Sequence, residues 1–133
     1  MQPAFIDLPK IPDARGNLSF LESENHIPFE IKRAYWIYGV PGGEARGNLA
    51  FRKSQEVIIA LSGSFEVVVK DGTEENRYVL NRSYHAVQVP NLHWRSLENF
   101  STNSLAIILA STTYDENDYI RDYPEFLQEV GVE

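Results

Sequence analysis

The sequence predicts an all-β domain, and three observations support this prediction. Short stretches rich in branched and aromatic residues recur along the chain at a spacing of about 8–12 residues, with Gly, Pro or Asn between them. One of these junctions is Asp71-Gly72, a strong signal for a tight turn between antiparallel strands. No helical stretches alternate with the apolar ones, which disfavours a parallel α/β sheet. Together these features favour a β-sandwich or a β-barrel.

The clearest apolar stretches predict strands at residues 31–40, 55–63, 64–72, 77–81, 85–90 and 104–110. The pattern changes after residue 110. In 114–131 the apolar residues recur at spacings of three and four, as on one face of a helix, with acidic residues early and Gly131 at the end. Pro124 is expected to break this helix into two pieces. We therefore predict a C-terminal helical segment at about 115–130.

The composition fits one globular domain with its own core. The chain has 133 residues, of which 43% are hydrophobic and 23% are charged, as in ordinary soluble domains. It has no cysteine, which excludes disulfides, a thiolate nucleophile and cysteine-ligated zinc and favours a cytoplasmic location. We expect a single domain over residues 1–133.

The charge of the chain limits its partners. The formal net charge is -7, and an acidic surface repels a phosphate backbone, so we expect no nucleic-acid partner. No apolar run approaches the roughly 20 residues that a membrane helix needs, so we expect no membrane partner. A small anionic ligand remains compatible with this charge because a few local arginines outweigh it. The arginines to consider are Arg15, Arg33, Arg46, Arg52 and Arg95.

The spacing of residues 43–63 resembles the first sequence motif of the cupins, which are small double-stranded β-barrels. Five residues separate Gly43 from Leu49, Phe51 follows two positions later, and Glu56 and Gly63 come after four and six more residues. In cupins the positions of Leu49 and Phe51 hold two histidines. Residues two apart on a strand point to the same face, which in a small barrel is the interior.

The residues at the cupin metal-binding positions predict that this chain binds no metal. Leu49 and Phe51 have no ligating atom. In the second cupin motif, Arg95 stands where a third histidine is expected, and its permanent positive charge repels a cation. Glu56 alone would bind a metal poorly.

A closer resemblance covers about residues 5–127. The chain resembles the cupin-fold nucleotide-sugar 3,4-ketoisomerases that act on dTDP-4-keto-6-deoxyglucose. The segments that carry it are ARGNLSFLE near the start, IPFEIKRAYWIYGVPGGEARG (27–47), SGSFEVVVKDG (62–72) and ILASTTYDENDYIRDYPEF (108–126). The resemblance implies a cupin jelly roll, a role in deoxysugar biosynthesis, a dTDP-linked sugar as ligand, and a homodimer that exchanges N-terminal strands.

The family reaction that the resemblance implies is a proton transfer. A base removes the proton at sugar C3 beside the C4 ketone, an enediolate forms, and a proton returns at C4. This needs a base and donors facing the developing oxyanion, and it needs no metal and no redox cofactor. The family supplies histidines in an Arg-Gly-x-His-Ala-His segment, which aligns with residues 46–51 and again puts Leu49 and Phe51 at the histidine positions.

Other residues are candidates for the chemistry. Tyr35 matches a tyrosine of the family and is a candidate catalytic residue. Glu56 is a candidate base if burial raises its pKa. His93 is a third candidate, because it is two positions from Arg95 and shares its face if both lie on a strand. The candidate substrate-binding residues are Arg33, Arg46, Asn48, Trp94 and Arg95.

Three hypotheses about function remain open at this stage. The chain is a ketoisomerase with a rearranged site, or a catalytically inactive cupin that binds a sugar nucleotide or pairs with a histidine-bearing paralogue, or an epimerase on the same scaffold. Fold alone does not choose among them. The replaced histidines favour the second hypothesis, whereas Tyr35, Arg46 and the C-terminal segment favour the first.

Overall fold

Strands make up most of the ordered structure. The computed structural model describes residues 1–132, which contain twelve strands, one turn of 3-10 helix at Glu116–Asp118 and one α-helix, α1 (Tyr123–Glu129). The strands are β1 (Ala4–Asp7), β2 (Lys10–Ile11), β3 (Leu18–Ser19), β4 (Arg33–Tyr38), β5 (Arg46–Phe51), β6 (Glu56–Ser62), β7 (Phe65–Lys70), β8 (Glu75–Leu80), β9 (His85–Val89), β10 (Trp94–Glu98), β11 (Leu105–Ala110) and β12 (Tyr119–Ile120). Each stretch predicted to be a strand contains or overlaps one of these, so the all-β prediction is confirmed.

The strands form two five-stranded antiparallel sheets and a separate hairpin. The first sheet has the order β1-β9-β6-β11-β4, the second has the order β12-β5-β10-β7-β8, and β2 pairs with β3. The two large sheets share one hydrophobic core, to which both contribute. This is the jelly-roll arrangement that the sequence predicts. β4 is the last strand of the first sheet, so one edge of β4 has no neighbouring strand within residues 1–132.

Alternation along the strands decides which side chains enter the core. On β4, Tyr35 and Ile37 pack against the core between the sheets, whereas Trp36 and Tyr38 face outwards and are largely exposed. Strands place successive side chains on opposite faces, so a polar residue an even number of positions from a core residue on the same strand also points into the interior. Glu56, which lies two positions before buried Ile58 on β6, is such a group.

The C-terminal segment covers the outer face of the second sheet. Phe126 of α1 and Ile120 of β12 pack there with Ala50 and Trp94. The predicted helix over about 115–130 is wrong in its extent, because Tyr119 and Ile120 pair with β5 as a strand. The α-helix begins only after Asp122, whose side chain accepts a hydrogen bond from the Glu125 amide, and Pro124 lies in its first turn, where proline is tolerated.

The N-terminal strands are paired within the same chain. β1 runs antiparallel to β9, with Phe5 opposite Val87, and the hairpin of β2 and β3 lies apart from the two large sheets and is exposed. Exchange of these strands between two chains stays a prediction. Within residues 1–132, α1 is too short to cross a membrane.

We expect Phe126→Ala to destabilise the domain by about 3–5 kcal/mol, because it removes a fully buried aromatic ring and leaves a cavity between α1 and the sheet. Urea unfolding measures this change. Val79→Ala is the control, since Val79 is 56% exposed and its truncation should leave the unfolding midpoint nearly unchanged. Equal midpoints for the two variants would show that α1 does not support the sheet.

Candidate active site

A cavity of about 430 Å³ lies where β4, at the edge of the first sheet, approaches β5 and β12 of the second. Its lining mixes aromatic, aliphatic and cationic side chains: Tyr35, Trp36, Ile37, Arg46, Gly47, Asn48, Leu49, Arg95, Tyr119 and Arg121. A concave site with a few polar groups among apolar ones is typical of small-molecule binding. Four of the predicted site residues, Tyr35, Arg46, Asn48 and Arg95, line this cavity.

A buried network of three side chains forms one wall. Arg95 is 2% exposed and Glu56 is 1% exposed, and the Arg95 Nε lies 3.0 Å from Glu56 Oε1. The Arg95 Nη2 donates to the Tyr35 hydroxyl oxygen at 3.0 Å, and the Tyr35 hydroxyl donates to Glu56 Oε2. Both oxygens of Glu56 are therefore engaged. Its charge is balanced by Arg95, so this carboxylate anchors the network instead of standing free as a base.

The backbone of β5 completes the network. The Arg95 Nη1 donates to the Gly47 carbonyl oxygen at 2.8 Å. Gly47 has a φ of 77°, in the left-handed region, and a Cβ at this position would overlap Arg95 Nη1. Glycine is needed here for both reasons. The sequence Arg-Gly-Asn at 46–48 thus allows β5 to approach a buried guanidinium closely.

The proton of Tyr35 is held by this environment. Burial raises the pKa of the Tyr35 phenol well above its usual value, and the adjacent charge of Glu56 raises it further, outweighing the opposite effect of Arg95. The Tyr35 proton is therefore committed to Glu56 at neutral pH.

Arg33 sits beside this network without a carboxylate partner. No Asp or Glu oxygen among residues 1–132 lies within 4 Å of it. Its guanidinium carbon is 5.3–5.9 Å from the ring centroids of Tyr35, Phe51 and Tyr114. Its Nη1 donates to the Tyr119 hydroxyl oxygen at 3.4 Å, and its buried Nε has no hydrogen-bond partner in the described part of the chain. An uncompensated cation among aromatic faces is well placed to attract an anion.

Two lining residues, Tyr119 and Arg121, are missing from the candidates that the sequence predicts. The Arg121 guanidinium lies 4.4 Å from the centre of the Tyr119 ring and forms an exposed salt bridge with Glu116 at 3.1 Å. The signal that pointed to them is the segment Tyr-Asp-Glu-Asn-Asp-Tyr-Ile-Arg at 114–121, an uncommon string without a generic structural reason. Its Asp115 and Asp118 have structural roles, because they accept hydrogen bonds from backbone amides of residues 117 and 53–54.

The two residues that the resemblance aligns with histidines are packed as wall and core. Leu49 pairs with Arg95 across β5 and β10 and lines the cavity. Phe51 is 4% exposed, and its ring centroid lies 4.6 Å from that of Tyr119. The cavity wall is therefore apolar at Leu49, where the resemblance leads us to expect a histidine.

Two predicted site residues lie elsewhere. His93 does not line the cavity: β10 begins only at Trp94, and His93 is in the preceding turn with its Nδ1 3.0 Å from the Asn91 carbonyl oxygen. Leu92, in the same turn, has a φ of 55°. Trp94 does not line the cavity either, because it alternates with Arg95 and packs outside the sheet, 5.8 Å from Phe126 between ring centroids.

These features define a cupin-type jelly roll with a candidate small-molecule site between its sheets. The chain belongs to the family described as "FdtA: WxcM-like, C-terminal", whose model matches residues 1–131. It is 37% identical over 126 residues to the TDP-4-oxo-6-deoxy-alpha-D-glucose-3,4-oxoisomerase of Aneurinibacillus thermoaerophilus, an alignment that covers 95% of this chain and 91% of that protein.

Solved structures agree with this assignment. A 3,4-ketoisomerase from Helicobacter canadensis superposes with a TM-score of 0.94 at 39% identity, covering 98% of both chains. QdtA, a sugar 3,4-ketoisomerase from Thermoanaerobacterium thermosaccharolyticum solved in complex with TDP, has a TM-score of 0.93 at 35% identity and covers 97% of this chain and 94% of that chain. The fold and family that the sequence predicts are confirmed.

We expect Glu56→Gln to destabilise the domain by about 3–5 kcal/mol, because it leaves the buried guanidinium of Arg95 without a counter-charge. Chemical denaturation measures the loss. The matched control is Glu116→Gln, which breaks an exposed salt bridge and should have little effect. A double variant, Glu56→Leu with Arg95→Met, should recover most of the stability. If Glu56→Gln unfolds at the wild-type denaturant concentration, the ion pair is not a structural constraint.

Proposed function

We propose that this chain binds a dTDP-linked 4-keto-6-deoxyhexose in the 430 Å³ cavity and moves the keto group of the sugar from C4 to C3. The observation that carries the proposal is the polar cavity itself, in a chain of the ketoisomerase family. Its lining offers guanidinium, phenol and amide donors beside an aliphatic wall, which suits a deoxysugar with several oxygens and one methyl group.

The charges of the site support a diphosphate-linked ligand. Arg46 lines the cavity and has no carboxylate within 4 Å among residues 1–132, whereas Arg95 and Arg121 are each paired with a glutamate. The site therefore carries an excess of positive charge in a chain of net charge -7. Arginine donors bind phosphate oxygens strongly because the hydrogen bonds are charge-assisted.

We expect the purified protein to convert dTDP-4-keto-6-deoxyglucose into the 3-keto isomer in D₂O. The NMR signal of the C3 proton of the substrate should disappear and the signals of the 3-keto isomer should appear, with hydrogen or deuterium at C4, because the reaction replaces one C–H bond by another through an enediolate. Protein inactivated by boiling is the control for spontaneous exchange. Loss of the C3 proton without a 3-keto product, or no change over the control, would contradict the proposal.

A second candidate function has an observation of its own. Leu49 and Phe51 remove both imidazoles at the family positions, and a chain without proton-transfer groups would bind the sugar nucleotide without changing it or would pair with a histidine-bearing paralogue. Stabilisation of the wild-type protein by dTDP in a thermal-shift assay, with no turnover, is the result expected of such a binding protein.

A cytoplasmic location stays a prediction.

We also propose that the chain forms a homodimer through the open side of the first sheet. An apolar groove of about 650 Å³ lies there, lined by Trp36, Tyr38, Gly39, Leu61, Asn103, Ser104, Leu105 and Ile107. Trp36 and Tyr38 are 58% and 72% exposed, and they belong to the edge strand β4. In the hairpin of β2 and β3, Ile11 and Leu18 are exposed as well. An apolar face next to an unpaired strand edge is typical of an interface, and the N-terminal strands of a second copy suit it.

The mass in solution tests this interface. We expect the wild-type protein to elute at about twice its chain mass of 15.2 kDa in size-exclusion chromatography with light scattering. Trp36→Glu should give the monomer mass, because it places a charge in the apolar face. Val79→Glu, on the exposed surface of the second sheet, should leave the dimer intact. A wild-type mass of one chain would contradict the interface.

A further inference from the structure

We propose that Tyr119 is the catalytic proton-transfer residue of this chain and that Arg33 is its positioning residue. The inference rests on the proposed ketoisomerase function and names the group that carries out its chemistry. It is needed because neither histidine position of the family holds an ionisable side chain here.

The place of Tyr119 in the fold supports this role. Tyr119 lies opposite Phe51 in the pairing of β12 with β5, and the two ring centroids are 4.6 Å apart. Phe51 occupies one of the two family histidine positions. The phenol of Tyr119 therefore reaches the cavity from the neighbouring strand, beside the place where an imidazole is missing, and it lines the cavity itself.

The hydrogen bonds of the two cavity tyrosines differ in a way that separates their roles. The Tyr35 hydroxyl donates to Glu56 and also accepts from Arg95. Its proton and one of its lone pairs are therefore already hydrogen-bonded within the protein. Within residues 1–132, the Tyr119 hydroxyl has one hydrogen bond, which it accepts from Arg33 Nη1 at 3.4 Å. The Tyr119 proton is therefore not committed to a protein acceptor and can be exchanged with a ligand in the cavity.

Arg33 is suited to hold the phenol in both protonation states. Its guanidinium donates to the Tyr119 oxygen and has no carboxylate partner in the described chain, so its positive charge is not neutralised beside that oxygen. A cation at this distance stabilises the negative charge that the oxygen carries after losing its proton. The ring centroids of Tyr35, Phe51 and Tyr114 lie 5.3–5.9 Å from the guanidinium carbon. Arg33 does not line the cavity, so it acts through Tyr119.

The proposed step balances without a co-reactant. The Tyr119 phenol first releases its proton to water, since no protein acceptor in the described chain holds it. The phenolate beside Arg33 then takes the proton from C3, the C–H electron pair forms the C3=C4 bond, and the ketone π pair moves to O4. The proton on O3 then moves to O4. The phenol of Tyr119 returns a proton to C4, the C3=O3 double bond forms, and the phenolate is restored. Nothing is oxidised or reduced overall, since the ketone and the secondary alcohol exchange places.

The test compares the kinetics of single-atom and charge variants with dTDP-4-keto-6-deoxyglucose. Tyr119→Phe removes only the hydroxyl, and we expect kcat to fall by about 10²–10⁴ while KM changes less than about threefold. Tyr123→Phe is the matched control, because Tyr123 packs with Trp94 on the outside of the sheet and should retain wild-type kcat. Arg33→Gln should lower kcat at unchanged KM, and Arg33→Lys should restore much of it, since the positive charge is kept.

The outcomes separate this inference from the proposed function. If the wild-type protein turns over and Tyr119→Phe keeps more than about a third of kcat, Tyr119 is not the proton-transfer residue although the ketoisomerase function stands. If Arg33→Lys is as impaired as Arg33→Gln, or if both change KM alone, the positioning role is overturned. If the wild-type protein binds dTDP and shows no turnover, the function and this inference both fail. Unchanged dTDP-induced thermal shifts for Tyr119→Phe exclude misfolding as the cause of a kcat loss.

Discussion

The buried ion pair between Arg95 and Glu56 is the constraint on which the rest of the site depends. Two charges removed from water destabilise a protein unless they are paired and hydrogen-bonded. Here the remaining donors and acceptors are satisfied by the Tyr35 hydroxyl and the Gly47 carbonyl. Four strands, β4, β5, β6 and β10, must therefore keep one register so that each contributes its group. The same requirement fixes which side chains of these strands enter the barrel.

The arginines around the cavity are of two kinds, those paired with a glutamate and those without a carboxylate partner in the described chain. The charge of Arg95 is used inside the protein, and the charge of Arg121 is largely balanced at the surface by Glu116. Arg33 and Arg46 retain their charges. The structural charge is thus separated from the unpaired charges beside the cavity, and an acidic chain keeps a local positive potential there.

The fold was predictable because strand alternation is a local property, whereas the site depends on pairings between distant segments. Tyr119 and Ile120 lie within a helical apolar pattern, and only their hydrogen bonds to β5 make them a strand. His93 does not reach the cavity because β10 begins only after it, and residue types alone do not fix where a strand begins. The outward position of Trp94 is predictable from the sequence, since neighbouring residues of a strand face opposite sides and Arg95 faces inwards. The place of Tyr119 in the cavity is not predictable, because its contact with Arg33 joins residues 86 positions apart.

The direct pairing of Leu49 with Arg95 affects how substitutions combine along an evolutionary path. A histidine introduced at position 49 alone would face a guanidinium that already holds the adjacent carboxylate and carbonyl, so its protonated form would meet a like charge. Removing Arg95 first would leave Glu56 buried without a partner. Each single step towards a histidine site is therefore unfavourable by itself, and the free-energy changes of neighbouring residues do not add. Positions 47, 49, 56 and 95 are expected to change together, so that the leucine at position 49 is entrenched by epistasis.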